Sequence, residues 1–275
     1  MNQPKLSRIR LYPVKSLDPI EVSSATIGSF SLLHDREFAL VTEDGQYING
    51  KRTGRVNQLK ATYDLDEKSD ILQITLSSRN ARDSIKPITF ELKEGNTSLE
   101  NYLSNFFDMK VSVIKRENGE LMDIPETGSV TIVSEASYTS LFSDNLGDSM
   151  EDLRLRFRTN LEVGEVPPYW EDELFKSPGI GVRFRVGEVE MIGLSPRIRC
   201  NVPPRNPLTG DTDKSFAKRM MESRSQNLPK GSHLPEHGNF YHLTINTYLP
   251  PDQQGKQLQI GDAIQIIDTV DLDSL

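Results

Sequence analysis

The chain is cut into short apolar runs that alternate with polar residues, and most are closed by a turn signal. In residues 6–14, LSRIRLYPV, Ile9 and Leu11 alternate with Arg8 and Arg10. That is the period of a half-buried strand. Pro13 cannot donate to a ladder, so the strand stops there and Lys15 and Ser16 fall on a turn. EFALVTEDGQYI sets two apolar runs around Asp44-Gly45 and predicts a hairpin. DILQITL, KPITFEL, VSVIKR and NFYHLTINTYL read as further strands, as does LQIGDAIQII with its Gly-Asp turn. LRLRFRTNLEV alternates cleanly and predicts a strand, and GVRFRVGEVEMIGL a hairpin about Gly187-Glu188. Helices are few. TSLENYLSNFF places Thr97 and Glu100 at capping-box spacing and has an apolar face of Leu99, Tyr102, Leu103 and Phe106. A short helix follows an N-cap at Ser134 and stops at Gly147. Residues 211–238 are polar and read as a long flexible loop. The pattern predicts an α+β protein, predominantly β and rich in β-barrel character.

Composition narrows the function. The length of 275 residues suits one large or two modest domains. Turn-rich NGELMDIPETG marks a passage between halves at 1–118 and 119–275. No apolar run reaches about 18 residues, so no transmembrane helix is expected. The first residues hold no signal-peptide core, which makes a cytoplasmic location the expectation. A single cysteine, Cys200, forms no internal disulfide, all-cysteine iron–sulfur cluster or multi-cysteine zinc site. The net charge of −8 disfavours nucleic acid as a partner. There is no Gly-x-Gly-x-x-Gly, Walker or Gly-x-Ser-x-Gly sequence to anchor a nucleotide-binding or serine-hydrolase reading.

Positive charge is concentrated at Arg154, Arg156, Arg158, Arg183, Arg185, Arg197, Arg199 and Arg205. These read either as solvated strand faces or as donors to a small anion, since arginine's planar fork suits phosphate and carboxylate. Cys200 stands beside Arg197 and Arg199 in LSPRIRCNVPPRNPLTGD. It is either a small buried hydrophobe or a thiolate favoured by those cations, a nucleophile and soft-metal ligand. Lys15 and Ser16 offer an ammonium and a hydroxyl for phosphate, or are solvated loop. Arg36 in HDREF is an anion contact or a surface ion pair. Arg158 and Asn160, two apart in an expected strand, would share a face. His233 and His237 are separated by Pro235, which argues against a two-histidine metal helix.

Taken in order, LSRIRLYPVKSL, HDREFALVTEDGQYINGKR, TIVSEASYTSLF, RFRTNLEV, YWEDELF and RCNVPPRNPLTGD resemble the MOSC proteins, relatives of the molybdenum cofactor sulfurase C-terminal domain. The subgroup it looks most like has an N-terminal β-barrel domain before a β-barrel MOSC domain, as in the mitochondrial amidoxime-reducing component and bacterial YcbX-like proteins. The resemblance implies a molybdenum cofactor (Mo-molybdopterin), with Cys200 as metal ligand or sulfur carrier. It implies that Lys15, Ser16, Arg36, Ser134, Ser137, Arg158, Asn160 and Arg199 hold the cofactor. It implies reduction of small N-hydroxylated compounds, with electrons from a separate ferredoxin- or cytochrome b5-type protein and no membrane partner. The other activity it implies is non-redox cofactor binding or sulfur carriage on a Cys200 persulfide. Departures are Ile198, where the family often has a small polar residue, Asn206 for its usual aspartate, and INGKR where relatives have TQR. They bear on the substrate pocket more than on the cofactor.

Overall fold

The structure is a computed structural model describing residues 3–66, 71–79, 86–116, 120–122, 130–228 and 240–274. The first half supplies strands β1 (Lys5–Leu11), β2 (Ile20–Val22), β3 (Ser24–Thr26), β4 (Phe38–Thr42), β5 (Leu59–Asp66), β6 (Ile71–Ser78), β7 (Ile88–Glu91) and β8 (Val111–Lys115). Helix α1 (Thr97–Phe107) lies between β7 and β8. The second half supplies β9 (Thr131–Ser134), α2 (Glu135–Ser143), α3 (Met150–Phe157), β10 (Leu161–Gly164), β11 (Phe175–Ser177), β12 (Ile180–Val186) and β13 (Val189–Ile198). It continues with α4 (Phe216–Gln226), β14 (His242–Tyr248), β15 (Gln257–Gln259) and β16 (Ile264–Asp271). The molecule is α+β and predominantly β, as the alternating runs imply.

The largest sheet runs β11-β12-β13-β14-β9-β10-β1-β2, with β16 also on β12. Strand β1 is hydrogen-bonded to β10 and β2, so the first strand of the chain is built into a sheet made mostly by the second half. The packing follows the same rule. Leu6, Ile9 and Leu11 share a core with Ile132, Leu161, Phe184 and Ile245. A separate core holds Val14, Leu40, Leu76, Leu103 and Val113, under the β5-β6-β7 sheet, the β4-β8 pair and α1. The hydrogen-bonded boundary therefore does not run at 118/119 alone, because residues 5–11 sit with the second half.

Four local expectations are corrected. LRLRFRTNLEV is not one strand: residues 150–157 form α3, Arg158 caps it with φ 54°, and only 161–164 are extended. Ser149 accepts from the Asp152 amide, Glu151 and Asp152 fill the first turn, and Asp152 pairs with Arg156 one turn on. The alternation misleads because Arg154 and Arg156 are themselves buried, each against a carboxylate. Helix α1 is capped by Asn96, not Thr97, and Glu100 instead accepts from the Val113 amide. The Asp44-Gly45 turn forms, but its second arm makes only an isolated bridge at Tyr47 while β4 pairs with β8. Within 211–238, residues 216–226 are helix α4, whose Phe216 and Met220 join a core with Tyr138, Leu153 and Phe157. His233 and His237 lie outside the described residues. No described helix is long and apolar enough to cross a membrane.

Candidate functional site

The sheet order decides where chemistry can gather. Neighbouring strands β13, β14, β9, β10 and β1 present their ends or flanking turns to one cavity of about 460 Å³. Ser195, Arg197 and Ile198 come from β13, Asn246 from β14 and Thr131 from β9. Arg158 lies just before β10, and Lys15 and Ser16 follow β1. Register shifts in the β13–β14 pair at 193/195 and 196/198 mark where the strand re-aims its side chains. Cys200, the residue after Arg199, is exposed on the lining.

Of the residues singled out in the sequence, Lys15, Ser16, Arg36, Arg158, Arg199 and Cys200 line this cavity. Lys51, Arg156 and Arg197 add further positive charge, and among the described residues no Asp or Glu lines it. A second concavity, of about 840 Å³ and lined by Gln58, Lys60, Arg79 and Leu208, has no cysteine, and its Arg79 is paired with Asp18.

How so many cations sit together is answered by the end of α3. The carbonyl of Phe157 accepts from Arg199 Nη2 at 2.8 Å, and that of Arg158 from Arg36 Nη2 at 3.0 Å. The partial negative charge of a helix C-terminus offsets the guanidinium charge. Arg36 is fixed further, its Nη1 donating to Asp35 at 2.6 Å and to Asn160 Oδ1 at 3.0 Å. The Arg36 and Arg158 guanidinium carbons each lie 4.3 Å from the centroid of the buried Tyr12 ring. Arg158 has a donor to spare. Its Nη2 is buried and meets no hydrogen-bond partner among the described residues, as does Arg199 Nε. Burial holds both guanidinium groups below the ordinary arginine range, and Arg36 pushes Arg158 the same way. An anion in the cavity would relieve that cost. Ser16, Arg36 and Arg158 all have left-handed backbones, at φ 71°, 52° and 54°. Non-glycine residues in this region concentrate at functional sites.

Three expected residues are placed elsewhere. Asn160 is buried behind the cavity, where its Oδ1 accepts from Arg36 and Thr131 and its Nδ2 donates to the Arg10 carbonyl. It orients Arg36 and does not line the cavity. Ser134 and Ser137 are wholly buried around Glu171: the Ser134 amide donates to Glu171 Oε2 at 3.1 Å and the Ser137 hydroxyl at 3.0 Å. Sequence reasoning passed over Tyr12, Thr131, Lys51 and Asn246. Tyr12 stood inside the YPVKSL motif. The others become neighbours only through tertiary pairing.

Glu171 predicts a pH effect. Burial, then the charge of Asp172, pushes its carboxyl up to about 7. The folded chain therefore keeps a proton that an ordinary glutamate releases near 4.5. Stability from this group is full below about pH 4.5 and is lost as pH rises through about 7. Thermal melts between about pH 5 and pH 8 should show a falling Tm that flattens in Glu171→Gln. Equal slopes in both chains would refute the assignment.

Comparisons with known proteins agree with the fold class. Residues 3–117 match the family model of the MOSC N-terminal beta barrel domain. The molybdenum cofactor sulfurase of Homo sapiens is 23% identical over 273 residues, covering 83% of this chain and 30% of that protein. That of Caenorhabditis briggsae is 24% identical over 239 residues, covering 81% and 32%. The chain thus spans about a third of the length of these relatives. A crystal structure of the YuaD protein from Bacillus subtilis aligns with a TM-score of 0.41 at 10% identity over 96% of each chain. The match of residues 3–117 to the MOSC N-terminal beta barrel domain is the likeness that the motifs of the sequence led us to expect.

Proposed function

We propose that this chain binds the molybdenum cofactor in the cavity beside Cys200 and reduces N-hydroxylated compounds with electrons from a separate ferredoxin- or cytochrome b5-type protein. The observation that carries the reading is a cavity lined by seven Lys and Arg side chains and, among the described residues, no acidic one, with a spare buried donor on Arg158 and a thiol at its edge. The donor set fits the group. Lys15, Ser16, Arg158 and Arg199 would hold its phosphate and polar ring edges, with Arg36 and Asn160 as their frame. Cys200 would supply the soft ligand that molybdenum favours. The cofactor, when bound, supplies two-electron chemistry that removes oxygen from N–OH. The chain's own part is to hold the anionic group, keep a thiol at the cavity edge and leave the mouth open to a small substrate. The relatives are named molybdenum cofactor sulfurases, which brings the cofactor to this chain as a proposal.

The exposure of Cys200 favours one second reading, a non-redox protein carrying sulfur as a Cys200 persulfide. Elemental mass spectrometry on the chain and on Cys200→Ala separates the two. The first reading expects near-stoichiometric molybdenum in the original, little in the variant, and hydroxylamine or amidoxime reduction once a donor protein is added. Absence of molybdenum from protein made in a molybdenum-replete host would sink it. A persulfide mass on Cys200 with no reductase activity would establish the second.

A further inference from the structure

After β13 the segment that carries Cys200 runs to Phe216 without a helix or a regular strand, and Pro203, Pro204 and Pro207 have no amide to donate. Its own turns meet some of its carbonyls, Val202 accepting from the Arg205 amide and Pro204 from the Asp213 amide. Others are met from outside, because unpaired backbone groups are costly where they are partly buried. Three of them are met by side chains from outside the segment. The Tyr241 hydroxyl donates to the Cys200 carbonyl at 3.0 Å. Arg156 Nη1 donates to the Pro203 carbonyl at 2.8 Å and to the Arg205 carbonyl at 2.9 Å. Both donors are themselves held. The Tyr241 carbonyl accepts from the Arg199 amide at 3.0 Å, so one residue ties down both members of the Arg199-Cys200 pair. Arg156 Nε is paired with Asp152 at 2.6 Å within α3, whose C-terminal residue of the next turn is Arg158.

We propose that Tyr241 and Arg156 are positioning residues that set where the Cys200 thiol stands relative to the arginines of the cavity. The inference rests on the cofactor-site reading for its purpose, while the geometry concerns the protein alone. Arg156 links the helix that presents Arg158 to the segment that presents Cys200, so the anion cradle and the thiol share one frame. Tyr241 fixes the same segment from the strand side. Arg156 also lines the cavity and adds to its charge, whereas Tyr241 does not line it, so Tyr241→Phe, which removes no charge, isolates the positioning effect.

The test uses the full chain made in a host unable to produce the cofactor, which leaves the thiol open to reagents. Cys200 is alkylated with iodoacetate, an anion, and with the neutral iodoacetamide, and the ratio of the two rate constants is read. A thiol held among arginines favours the anionic reagent. In Tyr241→Phe and in Arg156→Gln this ratio should fall about fivefold, the effect of losing one hydrogen bond's worth of positioning. Arg156→Lys, which keeps a cationic donor, should restore most of it. Leu103→Ala, a cavity in the separate core of the first half, serves as a variant destabilised without touching the segment. The proposal is overturned if Tyr241→Phe keeps the ratio within about twofold of the original, or if Leu103→Ala lowers it equally. Molybdenum retention is measured separately on protein from a replete host. A chain that never holds molybdenum would refute the cofactor reading and leave the alkylation result standing by itself.

Discussion

Replacing Arg158 with glycine should raise the melting temperature while abolishing anion binding in the cavity. Three terms set the sign. The residue caps α3 at φ 54°, where glycine removes a strain of about 1 kcal/mol. The guanidinium is desolvated and its Nη2 has no partner among the described residues, a cost of about 1–3 kcal/mol that the substitution removes. Against these stands the loss of the Tyr12 contact, worth about 1–2 kcal/mol. The balance favours the variant by roughly 1–2 kcal/mol, or a Tm increase of about 2–6 °C. Arg158→Ala keeps the left-handed strain and should fall between the two. Differential scanning calorimetry reads the stability, and molybdenum content reads the binding. A Tm for Arg158→Gly below that of the original would show that the arginine is there for packing.

Arg224→Met should do the reverse, leaving the cavity residues in place but costing about 3–5 kcal/mol of stability. Arg224 is fully buried on α4, and its Nη2 lies 2.6 Å from both oxygens of Asp172. Glu171 is buried next to that pair and is already held in its protonated range by burial and by the charge of Asp172. Without the guanidinium, Asp172 is left in the interior with no cation to answer it. The side chain also stacks at 4.5 Å on Tyr169, a contact a methionine only partly replaces. Against a total stability of about 5–15 kcal/mol for a folded domain, the loss is large enough to shift the urea midpoint well below that of the original. Adding Asp172→Asn should recover a good part of it. A single variant that unfolds at the original midpoint would mean that the pair is neutral overall.

These two arginines also show what the sequence conveys and what it hides. Strands with one wet face, such as β6 and β12, announce themselves by period. Helix α3 does not, because alternation in LRLRFR is read with arginine counted as an outward residue, whereas Arg154 and Arg156 are buried against Glu162 and Asp152. The local signals were present at Ser149, Glu151 and Asp152 and were outweighed. The cavity was legible as a set of residue types, its members beside β1, β10 and β13 mainly through resemblance, while Thr131 on β9 and Asn246 on β14 were not legible at all. Asn160 was assigned to the ligand as the partner of Arg158 two residues away, and the two serines through the family resemblance alone. Only packing reveals that Asn160 serves Arg36 and that Ser134 and Ser137 serve a buried carboxylate. Among the eight clustered arginines, the solvated-face reading holds for Arg183 and Arg185, which pair with Asp268 and Glu190 on β12 and its neighbours.

The place of β1 has a consequence for how the chain is made. Residues 5–11 are translated well before their hydrogen-bonding partner on β10, which begins at Leu161. At about 5–20 residues per second, synthesis of the intervening chain takes roughly 8–30 s. Through that interval β1 can pair with β2 but not with β10, which leaves one of its edges, with Leu6, Ile9 and Leu11, open to other chains. The core of β4–β8 and α1 contains none of these residues and can close first. The anion cradle, whose Lys15 and Ser16 follow β1, is assembled only when translation has passed β14 and β1 is paired on both edges.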